Sequence, residues 1–147
     1  MLRSAAFSTK KAMVQKCGDS RCLCCQYLLL ADHHVFKQTG FRFELKSSMS
    51  CNSFNLVYAI ICAGCLEEYI GETGEGETKL RDRIRVYRQH IKEKKYQQLK
   101  VEEHIRTCGK GNFKIFPFLQ MRTNNTSLRR AFELKFQKQF DTKLNQL

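Results

Sequence analysis

Apolar and polar positions divide the chain into short strands and amphipathic helices. The densest apolar run is Leu56–Cys62, where β-branched and aromatic residues predict a buried strand. A small-residue turn follows, and Glu68–Glu72 predicts a second strand, so that the two form a hairpin. Tyr58 lies on the first strand and Tyr69 on the second. The rest of the chain is predicted to pack around this hairpin.

After the hairpin, apolar residues recur at the spacing of amphipathic helices. In the segment Lys79–Lys95, apolar side chains recur every three or four residues along one stripe, at Leu80, Ile84, Tyr87 and Ile91. A shorter helix is predicted over Lys100–Cys108, and a final helix carries an apolar stripe at Leu128, Phe132, Phe136 and Phe140. Thr78 is predicted to cap the first helix, and Thr126 or Ser127 the last.

Two further strands are predicted outside the hairpin. Residues 112–121 predict a strand that contains Pro117, which has no N–H for a ladder and therefore favours an edge position or a bulge. Before the hairpin, Phe41, Phe43 and Leu45 alternate with charged residues, which is typical of a half-exposed strand.

The net charge of the chain indicates which class of molecule it binds. The chain has 147 residues and a formal net charge of +12, with 26 Lys+Arg against 14 Asp+Glu. This length fits one domain of moderate size with an appendage. Excess positive charge favours a polyanion, nucleic acid before an anionic membrane. The longest apolar runs are too short to span a bilayer, so no membrane partner is predicted.

The cysteines indicate metal binding. Eight cysteines occur without an N-terminal apolar signal segment, which favours metal ligands in a reducing compartment over disulfides. Cys62 and Cys65 form a C-x-x-C pair at the hairpin turn, the geometry of half a tetrahedral zinc site. His104 and Cys108 lie four residues apart on a predicted helix and could supply the other half. His90 is an alternative ligand.

A second cysteine cluster precedes the hairpin, in a cysteine-rich region from residue 17 to 51. The ligands predicted for a second zinc ion are Cys17, Cys22, Cys25 and Cys51. Cys24 competes with Cys25, and His33 or His34 could replace any member. Residues 1–16 are predicted to be a mobile, disordered basic lead, and residues 52–147 are predicted to form the main domain.

The hairpin resembles the GIY-YIG nuclease superfamily, and more closely the endonuclease domain of Penelope-like retroelements. The two motifs are L-V-Y at residues 56–58 and Y-I-G at residues 69–71, followed by Glu72 and Thr73. The retroelement branch is similar in placing a C-x-x-C pair between the motifs. The resemblance implies an α+β fold, a small three-stranded antiparallel sheet flanked by helices, here preceded by the cysteine-rich zinc-binding region.

The resemblance also implies a metal-dependent endonuclease that hydrolyses phosphodiester bonds and nicks DNA. In such enzymes a tyrosine acts as base or proton relay, an arginine contacts the phosphate, and one glutamate holds a catalytic Mg²⁺ or Mn²⁺. The motif positions assign these roles to Tyr58, Tyr69, Arg83, Tyr87 and Glu133. Tyr87 stands where the family pattern has histidine, which is better suited to shuttle a proton near neutral pH.

The surface of the first long helix is predicted to contact DNA phosphates through Arg81, Arg85, Arg88 and Lys92. Two other functions stay open: a catalytically inactive, zinc-containing nucleic-acid-binding remnant, and a zinc-organised protein-interaction domain. A retroelement origin would add a reverse transcriptase as a partner. The expected location is nuclear, with the cytoplasm and mitochondria as alternatives.

Overall fold

A three-stranded antiparallel sheet lies at the centre of the computed structural model, which describes residues 11–93 and 99–147. Its strands are β3 (Leu56–Cys62), β4 (Glu68–Glu72) and β5 (Phe113–Gln120), in the order β4-β3-β5. A separate two-stranded antiparallel sheet is formed by β1 (His33–Val35) and β2 (Arg42–Glu44).

Within the described residues, three α-helices flank the sheets: α1 (Leu80–Lys92), α2 (Lys100–Thr107) and α3 (Thr126–Phe140). Two short 3-10 turns complete the described elements, at Cys25–Tyr27 and Lys143–Gln146. The predicted α+β architecture is therefore confirmed. None of the described helices is long and apolar enough to cross a membrane.

Every residue of β3 is buried, so both faces of the sheet are covered. Side chains alternate along a strand, and the register pairs Tyr58 with Gly71 and Ile60 with Tyr69, which places both tyrosines on one face. That face packs against α1. The opposite face is covered by an aromatic cluster from the two-stranded sheet, β5 and α3, in which Phe36 stacks on Phe140 with ring centres 3.9 Å apart.

The N-terminal part of the chain shares this core. Val14 is fully buried and bridges to Met49, and Leu28 bridges to Ile115 of β5. Residues 11–16 are therefore part of the packed structure and not of a mobile lead. Residues 1–10 of the predicted lead lie outside the described residues. Buried side chains from before and after residue 51 form one continuous hydrophobic cluster.

The capping residues differ from those predicted. The Asp82 carboxylate accepts a hydrogen bond from the backbone N–H of Lys79 at 2.9 Å, whereas the Thr78 hydroxyl donates to the Glu75 carbonyl. At α3 the cap is Asn125, whose side-chain oxygen accepts from the backbone N–H of Leu128. Both predicted caps are wrong, because the side chains that accept from backbone N–H groups at these helix starts are those of Asp82 and Asn125. Residues 94 and 95 of the predicted first helix lie outside the described residues.

Strand β5 confirms the prediction that Pro117 lies in an edge strand or at a bulge. The strand lies at the edge of the sheet, and its register shifts by one residue where Pro117 pairs with Tyr58 and Leu119 with Val57. The apolar stripe of α1 is also confirmed, since all four of its predicted residues are buried. The stripe of α3 is wrong at Leu128, which is 44% exposed.

The buried residue at the start of α3 is Arg129, which is fully enclosed. Its guanidinium donates to a carboxylate oxygen of Glu72 at 2.7 Å and to the side-chain oxygen of Asn55 at 2.6 Å. It also donates to the carbonyl of Gly74. Arg129 thus joins α3 to the end of β4 and to the turn before β3.

Replacing Arg129 with methionine should destabilise the fold by about 3 kcal/mol or more, because it leaves the largely buried Glu72 carboxylate without its cationic partner. Urea denaturation followed by circular dichroism measures the change. Lys138→Met is the matched control, since Lys138 is exposed on the same helix and should change stability by no more than about 0.5 kcal/mol. Equal effects of the two variants would contradict the structural role of Arg129.

Candidate active site

The two motif tyrosines and a third tyrosine from α1 meet on one face of the sheet. The hydroxyl of Tyr58 lies 2.7 Å from that of Tyr87. A Cβ on Gly71 would lie 2.9 Å from the Tyr58 hydroxyl, so only glycine leaves room for this ring. The glycine of the second motif is therefore needed for the position of the first-motif tyrosine.

These tyrosines hold their protons at neutral pH. Burial raises the pKa of Tyr58 to about 12, and burial likewise raises the pKa values of Tyr69 and Tyr87 above the ordinary range. Their hydroxyls can therefore donate hydrogen bonds or relay a proton, but none is a base near neutrality.

Arg83 lies beside this tyrosine cluster on α1. Its guanidinium carbon is 5.3 Å from the centre of the Tyr87 ring. Burial tends to lower the pKa of Arg83, but Tyr58 and Tyr87 outweigh that effect and the net shift is upward, so the side chain stays cationic. Its Nε is buried and has no hydrogen-bond partner among the described residues. Because this Nε carries an N–H of a cationic group, it suits an anionic oxygen.

A cleft of about 420 Å³, referred to below as the cleft, is lined by Tyr69, Arg83 and Tyr87. Its other walls come from α1, α2 and the C-terminal turn, through Val86, His90, Leu99, Lys100, Val101, Glu102, Leu144, Asn145 and Leu147. Asn145 also pairs with the edge strand, because its side-chain oxygen accepts from the N–H of Ile70 at 2.7 Å. The C-terminal turn is thereby fixed to β4.

Glu133 lies on α3, half-buried at the edge of this region. Burial first, and then the charge of Glu72, raise the pKa of its carboxyl to about 7. Arg130 and Arg83 partly offset this rise, and the charge of Glu133 in turn affects Tyr69. The carboxyl is therefore electrostatically linked to the tyrosine and arginine of the cleft, and its charged form lacks full compensation.

Four predicted metal ligands come together at the hairpin turn, as the knuckle cluster of Cys62, Cys65, His104 and Cys108. Their ligand atoms all lie within 4.8 Å of one another. A Cβ on Gly64 would lie 2.1 Å from the carbonyl oxygen of Cys108, so this glycine permits the close approach of α2. One imidazole and three thiols are a donor set that zinc accepts in tetrahedral geometry. His90 is not part of the cluster.

The second predicted set also comes together, as the N-terminal cluster of Cys17, Cys22, Cys25 and Cys51, with sulfur atoms within 4.8 Å of one another. Burial disfavours the Cys22 thiolate, but the backbone N–H groups of Cys24 and Cys25 lower its pKa to about 6. Four thiols at this spacing could hold a zinc ion.

The competing ligands of this cluster lie elsewhere. The thiol of Cys24 points to the carbonyl of Arg81 at 3.7 Å. His33 pairs with Asp32, and His34 with the buried carboxylate of Glu68, both at 2.7 Å. The structure therefore groups Cys25, and not Cys24 or a histidine, with the other three cysteines.

The predicted DNA contacts form a basic flank of α1: Arg81, Arg85, Arg88 and Lys92. Three of them border a groove of about 830 Å³, into which Arg106 and Lys110 add further positive charge. The Arg88 guanidinium lies 5.4 Å from the centre of the Tyr27 ring. Arg81 and Arg85 each lie two residues from Arg83, and two residues along a helix correspond to a rotation of about 200°. The basic flank therefore lies on the other side of α1 from Arg83 and the cleft.

Sequence reasoning missed the roles of Arg129 and Glu102. Arg129 is on the apolar stripe, three residues before Phe132 and seven before Phe136, so its spacing carried a signal. Glu102 is buried on α2 and bonded to His90, and no local pattern indicates that pairing.

Comparison with known proteins gives one family. The family model described as the GIY-YIG catalytic domain matches residues 54–145. No curated protein and no solved structure matches the chain.

Protein purified under reducing conditions should contain about two zinc ions per chain, because each cluster supplies four thiol or imidazole ligands. Elemental analysis should find one ion lost in Cys62→Ser and the other in Cys22→Ser. Cys24→Ser is the matched control and should keep both. Folded protein with no zinc would exclude both sites, and zinc loss in Cys24→Ser equal to that in Cys22→Ser would contradict the grouping of the N-terminal cluster.

Proposed function

The chain belongs to the GIY-YIG catalytic-domain family, and from this premise we propose that it is a metal-dependent endonuclease that nicks DNA by hydrolysing phosphodiester bonds. The observation that carries the proposal is the buried, unpaired Nε of Arg83 at a cleft that Tyr69 and Tyr87 also line, with the hydroxyl of the buried Tyr58 2.7 Å from that of Tyr87. A scissile phosphate offers the anionic oxygens that such a donor requires.

The proposed roles follow from these positions. Arg83 binds the phosphate and stabilises negative charge on its oxygens during attack by water. Tyr58 and Tyr87 share a hydrogen bond and, with Tyr69, donate to or relay protons from the reacting groups. Glu133 holds the divalent ion, Mg²⁺ or Mn²⁺, which would supply Lewis-acid stabilisation of the phosphoryl oxygens.

The metal clusters have a structural role in this proposal. Zinc in the knuckle cluster would join the hairpin turn to α2, and zinc in the N-terminal cluster would hold together the segment from residue 17 to 51. The knuckle cluster has three thiols and one imidazole, and the N-terminal cluster has four thiols. Both donor sets suit zinc better than a catalytic magnesium ion.

We further propose that the domain derives from a Penelope-like retroelement. It is supported by the C-x-x-C pair between the two motifs and by the grouping of that pair with His104 and Cys108. The nick would then provide a primer end for a reverse transcriptase on another chain or segment, and the site of action would be nuclear.

A second candidate is an inactive nucleic-acid-binding remnant of the same fold. The observation that favours it is Tyr87, whose raised pKa makes it a poor proton shuttle at the position of the family histidine. Both candidates bind DNA, whereas a zinc-organised protein-interaction domain would not need to.

Glu133→Gln should reduce the nicking of supercoiled plasmid by at least about 10²-fold, because it removes the carboxylate proposed to hold the divalent ion. The measurement is conversion to open-circular DNA with added magnesium or manganese. Glu103→Gln, exposed on α2, is the control and should nick at the parent rate.

Two outcomes of this assay would change the proposal. Metal-dependent nicking that survives Glu133→Gln would show that the carboxylate is wrongly assigned. A wild-type protein that binds DNA without nicking it, and gains activity in Tyr87→His, would identify the inactive remnant.

Affinity for duplex DNA should fall steeply with salt, and the slope should flatten in Arg85→Ala/Arg88→Ala. Each lost phosphate contact lowers the slope by roughly 0.9 log units per log unit of salt. Fluorescence anisotropy at several salt concentrations measures it, with Lys135→Ala/Lys138→Ala on the exposed side of α3 as control. Salt-independent binding, or none, would favour the protein-interaction domain.

A further inference from the structure

A groove beside α1 carries a strong excess of positive charge and lies outside the cleft. It has a volume of about 830 Å³ and is lined by α1, α2, the turn after α2 and the 3-10 turn at Cys25–Tyr27. Among the described residues of its walls, Glu93 is the one acid and five are basic: Arg85, Arg88, Lys92, Arg106 and Lys110. We call it the basic groove. A groove lined by one sign of charge attracts ligands of the opposite sign, so it favours a polyanion.

Two of these arginines keep their charge available to a ligand. Arg106 donates to the carbonyls of His90 and Ile91, both at 2.7 Å, and such neutral acceptors hold its guanidinium without cancelling its charge. Arg85 lies 3.6 Å from Asp82, but these side chains are 61% and 46% exposed, so the ion pair is weak. A phosphate can therefore compete for Arg85 and is attracted by the charge of Arg106.

Lys110 lies in a backbone conformation that non-glycine residues seldom adopt. Its φ is 52°, in the turn between α2 and β5, where glycine or asparagine is favoured. The chain instead has a lysine there, and its exposed side chain lines the basic groove. Lys110→Asn therefore removes one charge from the groove without adding backbone strain.

An aromatic ring and a guanidinium group form one wall of the basic groove. Tyr27 stacks on the buried Phe113, with ring centres 4.8 Å apart and planes inclined at 21°, which fixes the orientation of its ring. The guanidinium carbon of Arg88 lies 5.4 Å from the centre of the same ring. Unpaired bases stack on tyrosine rings and on arginine planes, in grooves whose positive charge follows the phosphate backbone. This wall therefore favours an unpaired strand.

The size of the basic groove also favours a single strand. Sites of roughly 300–1,000 Å³ hold molecules of drug size, which a nucleotide resembles, and the basic groove lies within this range. A duplex keeps its bases stacked on one another, so it could place phosphates at the rim of the groove but no base against Tyr27.

We propose that the basic groove binds a single-stranded segment of nucleic acid, with phosphates on its basic side chains and a base stacked against Tyr27 and Arg88. This goes beyond the endonuclease function. The basic groove and the cleft share none of their described lining residues, so one chain can hold an unpaired strand while a duplex occupies the cleft. DNA and RNA both supply a base and a phosphate, and the test includes both.

The test is fluorescence anisotropy with labelled oligothymidine and oligouridine of about 12 nucleotides and a duplex of equal length, without added magnesium or chelator. Tyr27→Leu should weaken single-strand binding by at least about fivefold, because it removes the stacking ring but keeps apolar bulk against Phe113. Tyr27→Phe is the matched control and should bind as the wild type does. Duplex affinity should be the same in all three proteins. Tighter binding of oligouridine than of oligothymidine would identify RNA as the strand, and the reverse would identify DNA.

The charge of the groove is tested separately. Lys110→Asn should lower the salt slope of single-strand binding by roughly 0.7 log units per log unit of salt, the value of one phosphate contact. Lys138→Asn, on the exposed side of α3, is its control and should leave the slope unchanged.

Single-strand affinity that is unchanged in folded Tyr27→Leu overturns the proposal, and so does an equal loss of duplex affinity in that variant. Circular dichroism checks folding. If Tyr27→Leu does not fold, photo-cross-linking of the wild type to an oligomer that contains iodouracil decides the question: a cross-link at Tyr27 supports the proposal, and cross-links confined to β4 or α3 overturn it. A wild-type protein that nicks DNA without binding the single strand overturns this inference alone. One that binds the strand without nicking overturns the endonuclease function alone.

Discussion

The fold depends on covering both faces of a sheet that has only three strands. Such a sheet cannot bury its apolar residues alone, yet every residue of β3 is buried. Helix α1 covers the face that carries Tyr58 and Tyr69, while Phe36 and Phe140 stack within the aromatic cluster on the other face. The cysteine-rich region therefore completes the same core that positions the motif tyrosines, although it precedes the residues matched by the family model.

The two cysteine clusters adjoin the two helices that form the cleft. The carbonyl of Cys51 in the N-terminal cluster accepts from the N–H of Arg81 at 2.8 Å, within the first turn of α1. The knuckle cluster includes His104 of α2, two residues after Glu102, which pairs with His90. A metal ion in either cluster would thus restrain one wall of the cleft, which links structural zinc to the geometry around Arg83.

Features set by local spacing were predictable from the sequence, and most features set by distant partners were not. The hairpin and the apolar stripe of α1 follow from periodicities of two to four residues. The grouping of the C-x-x-C pair with His104 and Cys108 was also predictable, although the pairs are distant in the sequence, because each pair has the spacing of half a zinc site. The burial of Arg129 depends on Glu72, which lies 57 residues away in sequence. The orientation of His90 likewise depends on how α2 packs against α1, so its pairing with Glu102 appears only in the folded chain.

The distribution of positive charge at the start of α3 explains why a cation suits Glu133. Arg130, Arg83 and Arg129 all favour the ionised form of Glu133, and Arg129 has the smallest effect of the three. Burial, and then the charge of Glu72, outweigh these cations and raise the pKa of the Glu133 carboxyl to about 7. A divalent ion would supply the missing compensation, because it favours the ionised form that burial opposes. Arg129 thus secures α3 to the sheet, while burial leaves the Glu133 carboxylate on the same helix only partly compensated.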